Sequence, residues 1–392
     1  MTTTDAPAAA PARWLAVTSV AAGTFTLVTS EMLPVGLLTE IAASLGVSDG
    51  TAGLMMTAPG LVAAASAPVL AFTTRRLDRR IMLLALMALL AAGNLMGALA
   101  PNYPVMLAAR VLTGVSIGGF WAIAAGLGPR LVPERAVGRA TSVILSGVAV
   151  ASVLGVPAAT FVSSFAGWRT AFAAMGAGAL VLLALLAATL PPLPGTDSRG
   201  ALSGAFSGPL RLVLVLTVLI VAGHFAAYTY VRPFMEQVTH AGPMLVGVAL
   251  LLYGAAGVAG NFAAGARAAR NPAAVLITLV ALMVAGMAAL PLIGLPLAVL
   301  VVWGLGYGGV GVTLQLWIMR AGGGELGTAL FVGAFNVSIA LGALAGGRVA
   351  DGVSVTAVMW LGAALTALAA VLIAVRGSRA QQPAVTPAGE HA

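Results

Sequence analysis

Apolar positions follow one another along this chain in runs far longer than a water-soluble fold uses. Twelve such runs stand out, at 14–38, 51–74, 80–100, 104–128, 140–163, 169–190, 211–233, 243–265, 273–293, 296–320, 327–349 and 354–376. A helix needs roughly 20 apolar residues to cross the hydrocarbon of a bilayer, and each run is long enough. Only helices and closed barrels satisfy their own backbone in lipid. Unbroken runs, without the alternation of a barrel strand, select helices. Polar and turn-forming residues collect between runs six and seven, from Pro191 through Gly200 and on to Ser207, Gly208 and Pro209. This segment divides the runs six and six.

The pattern therefore predicts an all-α membrane protein of twelve transmembrane helices in two six-helix bundles. The organisation it implies is a tail at 1–13, a first bundle at 14–190, a linker at 191–210, a second bundle at 211–376 and a tail at 377–392. Met1 to Arg13 is rich in Ala, Pro and Thr and lacks a basic start, so it reads as a tail before an uncleaved first helix rather than a removed signal peptide. A weak internal repeat supports duplication. Arg76-Leu-Asp-Arg79 closes the turn after run two and Arg267-Ala-Ala-Arg270 the turn after run eight, at an offset of 191 residues. Such repeats relate bundles by an axis along the membrane normal.

Composition agrees. Charged residues make up 8% of the chain and hydrophobic residues 60%, against about 25% charged in a soluble domain. The net charge of +8 comes from 19 arginines, no lysine and 11 acids. The arginines are scattered through short loops with no interleaved aromatics, which argues against nucleic acid as a partner. Fifteen of the 19 fall on one side of the twelve-run map, leaving Arg110, Arg169, Arg232 and Arg348. By the positive-inside rule both termini and the linker are expected in the cytoplasm. Cysteine is absent, which removes thiol chemistry and disulfides. No His, Asp and Glu cluster has metal-ligand spacing, so no metal or other cofactor is expected. Gly304-Leu-Gly306-Tyr-Gly308-Gly309 lies inside an apolar run and follows no predicted strand, so it is not a phosphate loop. The chain is not expected to be an enzyme.

Candidate chemistry then rests on polar groups inside the runs. A charge at the centre of a membrane helix costs about 2.5–3.5 kcal/mol on insertion scales, so it should face a cavity or a partner. Glu31 lies inside run one, and Leu33, Val35, Leu37 and Leu38 carry the apolar pattern past it. Arg110 lies at similar depth in run four, where the three-and-four spacing puts Gly114, Ile117 and Trp121 on its face. A carboxyl out of water keeps its proton, and one facing a cation gives it up, so Glu31 and Arg110 are candidates for proton coupling. A structural ion pair is the competing reading. His224 and Tyr228 sit one turn apart near the middle of run seven. With Tyr307, Asn336 and Trp121 they are candidate substrate-binding residues, against the plainer reading of polar glue between helices.

Several of these stretches resemble the Major Facilitator Superfamily, in particular its drug:proton antiporter branch and the sugar efflux (arabinose export) and chloramphenicol exporter group within it. The residues that carry the resemblance are Thr29-Ser-Glu31-Met-Leu-Pro34-Val-Gly36-Leu-Leu38, Ala67-Pro68 with Arg75-Arg-Leu-Asp-Arg-Arg80, Arg110-Val-Leu-Thr-Gly114, Gly147 through Gly155-Val-Pro157, and His224-Phe-Ala-Ala-Tyr228-Thr-Tyr230-Val-Arg232-Pro233-Phe234. The likeness spans about 14–376. It departs from the superfamily's loop pattern at Ala71 and Arg75, which replace a Gly and an Asp. The resemblance implies a gating loop at Arg75, Arg76, Asp78, Arg79 and Arg80, a cavity among runs one, four, seven and ten, and no cofactor beyond a proton gradient. It implies a monomeric antiporter of a bacterial inner membrane exporting a sugar or an amphipathic drug such as chloramphenicol, with small solute, protons and lipid as partners. Uptake or uniport by the same fold is the first alternative, and a non-transporting membrane sensor the second.

Overall fold

The computed structural model describes residues 13–376 except 75, 125, 196–207, 294 and 322–323, and leaves the side chains of 71 and 324–326 undescribed. Arg75, most of the 191–210 linker and both tails lie outside the described residues. Twelve helices long and apolar enough to span a membrane are present, and they coincide with the twelve runs. They are Trp14–Leu45, Asp49–Leu70, Arg79–Ala98, Tyr103–Ala124, Glu134–Ala166, Trp168–Thr189, Gly208–Gln237, Pro243–Ala268, Pro272–Ile293, Pro296–Arg320, Gly327–Gly352 and Val355–Arg376, called spans one to twelve below. Span one runs seven residues past the Leu38 boundary read from polarity. The polar pair Thr39-Glu40 does not end the helix; Gly46 does, in the left-handed conformation at φ 66°, which glycine adopts without penalty.

Duplication is visible in the packing. In the first bundle the main pairings are spans two with four, three with six, three with four, one with five and one with six. In the second they are eight with ten, nine with twelve, nine with ten, seven with eleven and seven with twelve. Adding six to each number turns the first set into the second. The two largest crossings between bundles are exchanged by the same duplication, since span two packs on eleven and span eight on five.

Those crossings are close because small residues stand at them, which lets backbones approach in the absence of any hydrophobic drive between helices in lipid. A Cβ placed on Gly60 of span two would stand 3.0 Å from the Asn336 carbonyl and 3.1 Å from the Ala340 side chain. Gly254 of span eight presses on the backbone of Ser152 and Val153 in span five. At that place span five loosens into a π-helix at Ala151–Gly155, just ahead of Pro157. A proline supplies no N–H to the carbonyl four residues back, and the wider turn absorbs the break.

One end of the bundle joins the halves by polar contacts. Span seven breaks between Tyr228 and Val231, ahead of Pro233, and the short helix Val231–Gln237 that follows carries Arg232 across to span one. There Arg232 donates to the Gly36 carbonyl and pairs with Glu40 at 2.6 Å, while also holding Glu236 of its own helix at 2.7 Å. Asp351 of span eleven accepts from the Ser48 hydroxyl at 2.6 Å and the Gly50 N–H at 2.9 Å. Gln237 donates to Asp49 at 2.7 Å. This end is closed by these contacts, and it lies opposite the end at which span six stops and span seven starts.

Candidate functional site

Span one sets two costly groups close together: a carboxyl at Glu31, out of water, and Pro34, which interrupts the helical hydrogen bonding. Span two adds Pro59. Each proline deprives the carbonyl four residues earlier of its helical donor, which frees Ser30 and Met55. Arg110 of span four answers both. Its Nη1 donates to the Ser30 carbonyl at 2.8 Å, its Nε to the Met55 carbonyl at 3.0 Å and its Nη2 to the Glu31 carbonyl at 2.9 Å. The guanidinium is 1% exposed, and its fork geometry suits three acceptors at once. Gly114, one turn on, leaves room for Pro59, since a Cβ there would stand 2.8 Å from the Pro59 backbone.

The sequence reading brought Glu31 and Arg110 together, and they are together, but through the backbone. Among the described residues no ion pair joins the two side chains. The Glu31 carboxyl is buried at 8% exposure. It lies within electrostatic reach of Arg110 and, across the halves, of Tyr307.

Opposite, spans seven, eight and ten build an aromatic stack. His224 lies flat against Tyr307, with ring centroids 3.4 Å apart and planes 6° from parallel, and stacks on Tyr228 at 5.0 Å. Tyr228 continues onto Tyr253 at 4.7 Å, and the Tyr253 hydroxyl meets His224 Nε2 at 3.4 Å. Trp303 closes the stack edge-on to His224 at 5.5 Å. Parallel stacks and edge-on contacts are the favoured arrangements of aromatic quadrupoles. Two polar atoms inside the stack, His224 Nδ1 and Trp303 Nε1, have no hydrogen-bond partner among the described residues. His224 is 1% exposed, while Tyr307 is half-buried. Tyr307 therefore presents the surface, and His224 backs it. It stands beside the break in span ten at Gly309.

The remaining candidates fall elsewhere. Asn336 is half-buried beside the span two crossing, and its amide donates to the Val332 carbonyl of its own helix at 2.9 Å. Trp121 is half-buried and packs edge-on against Phe120 at 6.1 Å. In the expected gating loop, Asp78 caps span three by accepting from the Arg80 N–H at 2.7 Å, and also accepts the Leu193 N–H at 2.9 Å. The Arg79 N–H returns to the Leu193 carbonyl at 2.7 Å, and Arg80 donates to the Ala187 carbonyl at 2.6 Å. These three residues fasten the end of span six and the start of the linker within the first half. Arg76 is engaged as well.

Sequence reasoning missed Tyr253 and Trp303, which look like ordinary aromatics in apolar runs. It also missed Glu40 and Asp351. The available signal was Arg232, four residues before Glu236 in an apolar run, a buried cation whose second partner had to come from another helix.

The family model described as Major Facilitator Superfamily matches residues 20–332, from early in span one to the first turns of span eleven. Two solved structures share the architecture. A bacterial homolog of the human lysosomal transporter Spinster, inward-facing and unoccupied, superposes with a TM-score of 0.71 at 16% identity, over 95% of this chain and 97% of that one. The same protein's inward-facing, occupied form gives 0.65 at 14% identity, over 97% of this chain and 100% of that one. At these identities the likeness is one of fold.

Proposed function

The chain belongs to the Major Facilitator Superfamily, and from that footing we propose that it exports a small ring-bearing solute, a sugar or an amphipathic drug, in exchange for protons across a bacterial inner membrane. It is a multi-pass membrane protein and a secondary transporter that works by alternating access. The observation that carries the finer reading is the setting of Glu31: a buried carboxyl with no ion-pair partner among the described residues, within electrostatic reach of Tyr307 of the opposite half. A carboxyl so placed changes its protonation when its surroundings change between water and apolar packing. A solute lying between Glu31 and Tyr307 meets a proton site on one side and a flat aromatic surface on the other. Coupling then follows if substrate and proton each bind one of the two conformations better.

The positive-inside rule, applied to the arginines, supports an orientation with the polar-latched end outside the cell and the linker inside. Arabinose and chloramphenicol are the first probes to use, because the sequence resembles exporters of both kinds. In proteoliposomes containing this chain alone, an imposed pH gradient should drive accumulation of one of them, and a protonophore should abolish it. Entry that merely equilibrates the solute, with or without the protonophore, would make the chain a uniporter and end the antiport reading.

A further inference from the structure

The closed end is held by side chains of one half gripping backbone of the other. Arg232 takes the Gly36 carbonyl, and Asp351 takes the Gly50 N–H. Between them the Tyr230 ring is fully buried, its hydroxyl donating to the Ala343 carbonyl at 2.8 Å and lying 3.4 Å from the Gly50 carbonyl. A grip on backbone demands close approach, and the sequence provides for it. A Cβ on Gly50 would overlap the Gly347 carbonyl of span eleven and stand 2.5 Å from the Asp351 carboxylate. A Cβ on Gly53 would overlap the Tyr230 hydroxyl. Gly347 faces the same hydroxyl and the Gly50 carbonyl from the other side, at 2.5 and 2.7 Å from its own would-be Cβ.

The nearest neighbours of a Gly50 methyl all belong to the second half. Gly50 lies in the short helix Asp49–Ala52, and its φ is not among the positive ones, which among the described residues are those of Gly46, Gly167 and His240. Alanine is the better helix former. Glycine at position 50 therefore serves nothing within its own half; it serves the seating of the other one.

We propose that this end is a glycine-gated latch, in which Gly50 and Gly53 leave the room into which Asp351 and Tyr230 of the other half seat, so that one methyl group at position 50 holds the end apart while each half keeps its fold. The latch has a size-selective part, the glycine slot, and a polar part, Arg232 and Asp351, that fixes the seated state. The inference rests on alternating access and not on the substrate or the proton, and its readout is a distance, so it stands or falls apart from the export reading.

The cysteine-free chain makes the test direct. Ala43→Cys and Val353→Cys place one spin label on each half at exposed positions of this end. In proteoliposomes without substrate, pulsed dipolar spectroscopy should give a dominant short distance for the otherwise unchanged chain. Gly50→Ala should move most of the population to longer distances, with size-exclusion profile and melting temperature retained. Gly352→Ala, whose methyl meets open space, should leave the distribution as it was. Asp351→Ala removes the polar grip without adding volume and should lengthen the distance in a smaller share of molecules. If Gly50→Ala does not fold, Asp351→Ala and Gly53→Ala carry the decision. A distance distribution unchanged from that of the parent chain in folded Gly50→Ala or, where that variant does not fold, in both Gly53→Ala and Asp351→Ala overturns the latch.

Discussion

The two halves share one packing plan, yet they treat the same depth of the membrane in opposite ways. In the first half the centre is ionic: Glu31 and Arg110 are buried, and the arginine is spent on the backbone carbonyls of Ser30, Glu31 and Met55. In the second half the centre is aromatic and flat: His224, Tyr228, Tyr253 and Tyr307 stack like plates, with Trp303 against their edge. Duplication explains the common scaffold, and the contrast lies in what fills it. One half buries ionisable groups. The other stacks rings.

The largest expected effect follows from fixing the charge. Glu31→Gln holds the neutral form, so pH-driven accumulation should vanish in proteoliposomes while binding in detergent survives. Accumulation at the unmodified rate would place the proton site elsewhere, with His224 and Glu236 next to be tested.

Next comes Arg110→Ala. It orphans two carbonyls that prolines have already freed, and each buried group left unsatisfied costs about 1–3 kcal/mol. The melting temperature should fall clearly. Pro34→Ala in the same chain restores an N–H to the Ser30 carbonyl and should recover part of the loss. If Glu31→Gln recovers it instead, the arginine matters as a countercharge and the backbone account fails.

A smaller effect is expected in the other half. Tyr307→Ala removes the stacked face, worth about 0.5–1.5 kcal/mol for an aromatic pair, or roughly two- to tenfold in affinity. Tyr307→Phe should retain it, and titration with arabinose and chloramphenicol reads both variants. An equal loss in the two would shift weight from the ring to its hydroxyl. The smallest change should come from Tyr253→Phe, which deletes only the 3.4 Å contact to His224. A contact so long belongs at the weak end of hydrogen bonding, near 0.5 kcal/mol or about twofold.

Much of the scaffold was legible along the chain, because the runs are long and the linker is the one extended polar break between them. Glu31 and Arg110 were legible too, since a charge inside an apolar run has few explanations. The use of Arg110 was not. It depends on Pro34 and Pro59 each freeing a carbonyl on a different helix, and on the third helix bringing one fork within reach of both. Glu40 escaped because polarity suggested an end at Leu38, while the backbone continues to Gly46. Tyr253 and Trp303 escaped because a stack is defined by ring planes, which spacing does not encode. His224 was read as a contact for substrate, and it lies 1% exposed and flat against Tyr307, a burial that spacing along one helix does not reveal.

The crossing of Gly254 on Ser152 has a mechanical consequence. Span five extends from Glu134 to Ala166, so Ser152 stands 18 residues from one end and 14 from the other. At 1.5 Å of rise per residue these are arms of about 27 and 21 Å. Gly60 divides span two still more evenly, 11 residues from Asp49 and 10 from Leu70. Fulcra placed so near the middle make the bundle a balanced lever: each ångström by which one mouth parts is matched by about an ångström of closure at the other. A bulky side chain at Gly254 would act like a shim under the beam, leaving both mouths ajar and letting solute leak down its gradient without turning the cycle.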